Sequence, residues 1–337
     1  MVRRRYRKWL FVICTLIALL ILACVFSLFV GSTGLSLREL MPLLYGKDEI
    51  SPAYSLFFDI RLPRILLGIA VGGGLSLAGV LLQGIFRNPL VEPFTLGISG
   101  GAALGVCLSA VLGFSRLFSL PLAGFTGAFT VILFLNFLAT RKSFTGVHGL
   151  LLAGVMINFI SSSLVTLIMS IVRVEQLHGI LFWIIGTLGE TDWLLVSIAL
   201  GTSLLGLILS YLFCADLNAL LLGEEQAHHL GIGIEKTKKF LFALASLLTG
   251  LCVSLTGAIG FVGLVVPHFM RMLVGHDHRI LLTSSFLAGA MFLVLCDAIA
   301  KTIAFPIELP VGVVTGILGG SVFIYTLTKK RMPLGRQ

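Results

Sequence analysis

Long unbroken apolar runs separated by short polar interruptions dominate this chain. An α-helix needs about 20 apolar residues to cross a hydrocarbon core. By that ruler the runs predict ten spans at residues 9–30, 62–83, 95–113, 118–139, 147–171, 193–213, 239–258, a shorter 260–274, 280–300 and 309–328. The expected fold is therefore all-α, a polytopic membrane protein whose 337 residues form one transmembrane domain.

The apolar pattern repeats. Moving back 178 positions from the stretch 250–279 pairs Gly250 with Gly72, Ser254 with Ser76, Gly257 with Gly79, Pro267 with Pro89 and Gly275 with Gly97. In both copies a glycine-bearing helix candidate is followed by a proline-marked break, at Asn88-Pro89-Leu90 and at Val266-Pro267-His268. The repeat units run from about 61 to 171 and from about 239 to 328, taking in the second to fifth and the seventh to tenth spans. Breaks of this kind leave backbone groups unpaired, which a membrane tolerates only where protein or water covers them. Each break therefore reads as a pathway lining, a gate or a plain turn.

Composition agrees with the pattern. Hydrophobic residues make up 57%, charged residues 12%, and the mean hydropathy is +1.07, values foreign to soluble domains. The net charge of +9 gathers at the ends of apolar runs, so it does not point to nucleic acid. Ten spans put both termini on one side, and that side collects 17 of the 24 Lys and Arg residues against 7 on the other. The positive-inside rule then places both termini in the cytoplasm of a multi-pass chain. Span 62–83 runs inward and its counterpart 239–258 outward, an inverted repeat of the kind transporters use. The first span, 9–30, follows Arg3, Arg4, Arg5, Arg7 and Lys8 and is too long for a cleaved signal. The six cysteines read as small hydrophobes, with neither metal spacing nor disulfide pairing.

Small residues recur every four positions at Gly97/Gly101/Gly105, Gly312/Gly316/Gly320 and Gly68/Gly72/Ser76, which predicts close helix packing within the chain or toward another subunit. The cytoplasmic loop 215–238 reads as two short helices, one stopped by Gly223 and one ending at Gly231. Such a pair serves as a docking element or as a mere connection. On the outer side, residues 30–60 are long enough for a short helix, and Arg61-Leu62-Pro63-Arg64 opens the second span. Two arginines at a helix start oppose the macrodipole, so lipid phosphate or an acidic partner must compensate. Lys301 is placed to join that patch.

No phosphate-cradling Gly-x-x-x-x-Gly-Lys-Ser/Thr motif occurs, so ATP hydrolysis by that route is not this chain's work. Intramembrane carboxylates are few, Asp297 and Glu308, which leaves an ion-driven secondary carrier as an alternative reading. His276-Asp277-His278-Arg279 reads as a basic turn rather than a metal site, and His268 receives no catalytic role. A membrane enzyme built on His268, His276 and His278 lacks a convergent nucleophile or carboxylate pattern.

Arg61-Leu62-Pro63-Arg64, Asn88-Pro89-Leu90-Val91-Glu92-Pro93, Leu96-Gly97-Ile98, the run 257–264, Pro267-His268, Asp277-His278-Arg279 and Glu308-Leu309-Pro310-Val311-Gly312 closely resemble the FecCD-type permeases of iron-siderophore, haem and vitamin B12 ABC importers. The resemblance covers nearly the whole chain. It implies a transport subunit, not an enzyme, in a bacterial or archaeal cytoplasmic membrane. It pairs the chain with a second permease subunit, as a homodimer or with a sibling, and with two ABC ATPase subunits and an extracytoplasmic substrate-binding protein. The chain itself would hold no cofactor, while ATP and Mg belong to the partner ATPase. By position, Gly223, Glu224, Ala227 and Gly231 correspond to the ATPase coupling helices, and Arg61, Arg64 and Lys301 to docking positions for the binding protein. Asn88 and Leu90 correspond to the cytoplasmic gate. Lys301 stands where arginine is more usual, and Val147-His148 departs from the gate pattern. An iron-siderophore is the expected cargo, with haem and cobalamin behind it.

Overall fold

The computed structural model of the protein describes residues 2–30, 52–113, 119–139, 147–172, 174–189, 191–304 and 307–329. Of the outer segment 30–60, expected to carry a short helix, Pro52–Ser55 form a single helical turn, while residues 31–51, the basic residues Arg116, Arg141, Lys142 and Arg173, and the basic tail after 329 lie outside the described residues. The described residues form helices α1 (Val2–Phe29), α2 (Leu62–Phe86), α3 (Ile98–Val111), α4 (Ser119–Ala139), α5 (Val147–Ile171), α6 (Val174–Ile185) and α7 (Trp193–Leu212). They continue with α8 (Cys214–Leu220), α9 (Glu224–His229), α10 (Ile234–Thr256), α11 (Val262–Val274), α12 (His278–Ala300) and α13 (Val311–Lys329), and contain no strand. A π-helical turn, Leu56–Arg61, leads into α2, and a 3-10 turn, Pro93–Leu96, leads into α3. Seven helices (α1, α2, α4, α5, α7, α10 and α12) are long and apolar enough to cross a membrane, while α3, α11 and α13 are apolar but shorter. These ten occupy the ten expected segments. The additional helix α6 has 12 residues, too few for the span ruler to register.

Helix α2 is the centre of the bundle. It is buried almost continuously from Pro63 to Phe86 and packs against α7, α10, α11 and α12. Lipid tails are as apolar as leucine, so burial between membrane helices is favoured by close van der Waals contact rather than by water release. Glycine supplies that closeness on each face of α2. Gly72 meets the Gly289 backbone of α12 and Gly79 the Gly263 backbone of α11. A Cβ at Gly74 would lie 2.8 Å from Ser203 Oγ of α7 and 3.0 Å from Cys252 Sγ of α10. Ser203 also donates to the Ala70 carbonyl at 2.8 Å.

The small-residue rows resolve accordingly. Gly101 and Gly105 face Gly127 and Ala123 of α4, and Gly68, Gly72 and Ser76 face Val294 and Gly289 of α12, so both rows pack within the chain. In the third row Gly312 lies on the Ile185 and Ala258 carbonyls, whereas Gly316 has nothing within 4 Å of its would-be Cβ.

The two proline positions differ. The chain leaves α2 at Arg87, in left-handed backbone (φ 47°), and Asn88 Oδ1 accepts the Leu90 N–H at 2.9 Å, so Pro89 does stand in a turn. Pro267 does not mark a break. It sits inside the unbroken α11, and the chain reverses earlier, between Gly257 (φ 71°) and Phe261 (φ 69°). A proline inside a helix removes the N–H that would bond the carbonyl four residues back. Here that carbonyl belongs to Gly263, and Gln83 Nε2 of α2 donates to it at 3.0 Å. Gln83 Oε1 in turn accepts from Arg271 Nη1. The side chain of the central helix thus repairs the bond that Pro267 deletes.

Candidate functional site

Two polar constellations stand at opposite ends of α12. At its start lies the segment between α7 and α10. Phe213 ends α7, α8 follows, and Gly223 turns the chain with φ 122° and ψ 155°, a conformation that excludes side chains. Then comes α9, closed by Gly231 with φ 82°. This is the two-helix loop that the glycine spacing predicts. Its interior is a small cluster in which Ala219, Leu220 and Ala227 pack with Ile232 and Ile234. Ala227 is fully buried there, so it shapes the loop rather than its surface. Glu224 pairs with Lys238 at 2.7 Å, and Asp216 accepts from Thr237 at 2.9 Å, pinning both helices to the start of α10.

The outward face of this loop sets exposed leucines among the polar Glu224, Glu225, Gln226, His228 and His229. Leu222 is 63% and Leu230 64% exposed, and Leu221 is also exposed. None of the three follows from spacing alone, yet Leu222 and Leu230 lie beside the predicted glycines. Arg87, at the end of α2, reaches to 3.7 Å from the would-be Cβ of Gly223. Asn88 and the exposed Leu90 therefore follow directly on a residue that borders the loop.

Asn218 of α8 holds the turn before α12. Its Nδ2 donates to Asp277 Oδ1 at 3.0 Å, while its Oδ1 accepts the His278 N–H at 2.9 Å and lies 2.9 Å from His278 Nδ1. Asp277 caps α12 through the Arg279 N–H and forms an exposed ion pair with Arg5 at 3.1 Å. Tyr211, in the last turn of α7, donates to the Arg279 carbonyl at 2.7 Å. Among the described residues no three His, Cys, Asp or Glu side chains come together as a metal site would require. His268 lies instead against the rings of Phe269 and Phe323.

At the far end of α12 the predicted cations do come together, joined by carboxylates. Arg64 Nε and Nη2 donate to Asp297 Oδ1 at 3.0 and 2.9 Å, and its Nη1 to Glu308 Oε2 at 2.7 Å. Lys301 Nζ lies 2.6 Å from Asp297 Oδ2. Arg61 donates to the Leu28 carbonyl in the last turn of α1, where a cation is electrostatically favoured. The charge that opposes the α2 dipole is thus compensated inside the chain. Arg61, Asp297 and Lys301 are buried, and the most open member is Glu308, 38% exposed. Asp297, committed to two cations, offers no free carboxylate for ion coupling.

The FecCD transport family model matches residues 19–329. The hemin transport system permease protein HmuU of Yersinia pestis is 37% identical over 321 residues, covering 94% of this chain and 95% of that protein. The Fe(3+) dicitrate transport system permease protein FecD of Escherichia coli (strain K12) is 40% identical over 280 residues, covering 82% and 86%. A solved structure described as an inward-facing conformation of a metal-chelate type ABC transporter superposes with a TM-score of 0.83 at 31% identity, over 96% of this chain and 100% of that one.

Proposed function

The chain belongs to the FecCD transport family and is a multi-pass ABC-importer permease, and from that premise we propose that it moves an iron chelate across the cytoplasmic membrane, driven by two partner ATPase subunits. The observation that carries the reading is the α8–α9 loop, with glycine-shaped backbone, a packed interior and bare leucines outside the apolar spans. A loop of that build suits insertion into a cleft of a soluble partner. Gly223, Glu224, Ala227 and Gly231 give it its shape, while Leu222 and Leu230 supply contact area. Asn88 and Leu90, beside the loop, are placed to gate the cytoplasmic mouth.

The opposite end, with Arg61, Arg64 and Lys301, is the docking side for an acidic surface of the extracytoplasmic binding protein. Arg64 is the reachable cation, because the group that covers its Nη1, Glu308, is itself open to solvent. A second permease subunit completes the pathway, with both termini in the cytoplasm. Few charges face the apolar spans, which suits weak contact with a bulky chelate and leaves selection to the binding protein.

Proteoliposomes holding the chain with its ATPase and binding protein test this. Offered 55Fe-labelled ferric hydroxamate, 55Fe-hemin and labelled cobalamin in parallel, they should accumulate an iron chelate only with ATP. Uptake without the ATPase would select a secondary carrier, and uptake of cobalamin alone would reassign the cargo.

A further inference from the structure

The helix α12 touches both candidate sites, beginning at the Asn218 grip and ending at the Asp297–Lys301 pair. It has 23 residues, about 35 Å at 1.5 Å per residue, and contains no proline. We propose that Asn218 is a positioning residue that passes movement of the α8–α9 loop to α12, and that α12 carries it as a rod to the Arg64 cluster. This rests on the importer reading above.

Three observations single out Asn218. The other side-chain ties of the loop, Asp216 to Thr237 and Glu224 to Lys238, lead only to α10, its neighbour in sequence. Asn218 instead reaches 59 and 60 residues along the chain, to Asp277 and His278. Its amide engages donor and acceptor together, so the turn is held against both pulling and sliding. The gripped residue cannot yield either. His278 is 1% exposed, its ring stands 3.2 Å from the would-be Cβ of Gly84 in α2, and Leu217 beside it is fully buried. Close packing of this kind transmits displacement instead of absorbing it. At the far end Asp297 is bonded to Arg64 of α2, so a shift of α12 alters how Arg64 is presented.

The test reads the coupling between the two ends. Affinity of the intact permease–ATPase complex for its binding protein is measured with and without a non-hydrolysable ATP analogue. The ratio of the two is the coupling. Asn218→Ala removes the grip, while Tyr211 still anchors α12 through the Arg279 carbonyl. Asn218→Asp sets two carboxylates against each other. Both variants should bring a wild-type ratio of about tenfold, within the usual range for coupled sites, to within about twofold of one. Asn218→Gln keeps an amide donor and a carbonyl acceptor at this position and should retain more of the ratio than Asn218→Ala. A merely structural role would lower thermal stability and leave the ratio alone in every variant, which would overturn the inference, as would a ratio for Asn218→Gln no larger than that for Asn218→Ala. A chain that binds neither ATPase nor binding protein would overturn the importer reading and this inference with it.

Discussion

Replacing Asp297 by Asn tests the charge cluster at the end of α12. In the native chain two cations, Arg64 and Lys301, are bonded to two carboxylates, Asp297 and Glu308, while Arg61 beside them is bonded to the Leu28 carbonyl. Asp297 holds both cations at 2.6 to 3.0 Å and is 2% exposed, so water cannot take its place. Removing one partner of a buried ion pair costs about 3–5 kcal/mol, because the other charge is left uncompensated. Here two cations lose their shared partner, so the lower figure is a floor. At about 2 °C per kcal/mol for a large chain, the detergent-purified permease should melt at least about 6 °C lower in a thermal unfolding scan. Adding Lys301→Met removes the stranded ammonium and returns the cluster to its native net charge, with Arg64 still paired to Glu308. The double variant should regain most of the loss. Asp297→Asn melting with the wild type, or a double variant no better than the single one, would refute the assignment.

Glu308→Ala uncovers Arg64 Nη1 and should raise affinity for the binding protein severalfold in a surface-binding assay, while Arg64→Glu should lower it. Equal affinities in all three proteins would remove Arg64 from the docking surface. Leu222→Glu with Leu230→Glu exchanges two exposed leucines, each worth about 1.5–3 kcal/mol when buried, for charges. Co-purification of the ATPase should fall at least about a hundredfold, with the melting temperature of the permease unchanged. Gln83→Ala leaves the Gly263 carbonyl and Arg271 without their partner and should cost about 1–3 kcal/mol. Pro267→Ala in that background supplies the missing N–H and should recover part of the loss in the same unfolding scan.

Local pattern carried far into this fold. The apolar runs foretold an all-helical membrane fold and the seven helices long enough to cross a bilayer, because length and hydropathy are properties of contiguous residues. Gly223 and Gly231 marked the two-helix loop because positive φ is a property of a single residue. What escaped was non-local. Gln83 repairs a bond 180 residues away, and nothing near Pro267 in sequence announces it, so a continuous helix read as a break. The arginines at the head of α2 demanded compensation, but for Arg64 its source lay 233 and 244 residues along, and for Arg61 it was a carbonyl 33 residues back. Nothing in the local sequence sets Asn218 apart within its short helix, because its partners Asp277 and His278 lie 59 and 60 residues along. Ala227 illustrates the opposite limit: its place in the loop was legible, whereas its side chain turns inward, a matter of packing within a five-residue cluster.

The contact of Gly72 with Gly289 has a mechanical meaning. Gly289 falls near the middle of α12, with about 17 Å of helix back to His278 and about 18 Å on to Lys301 at 1.5 Å per residue. Together with His278 against Gly84 at one end and Asp297 bonded to Arg64 at the other, this crossing ties α12 to α2 at three heights. The two helices are thereby one stiff member, so that a displacement at the loop end reaches Arg64 at similar size and in the same direction.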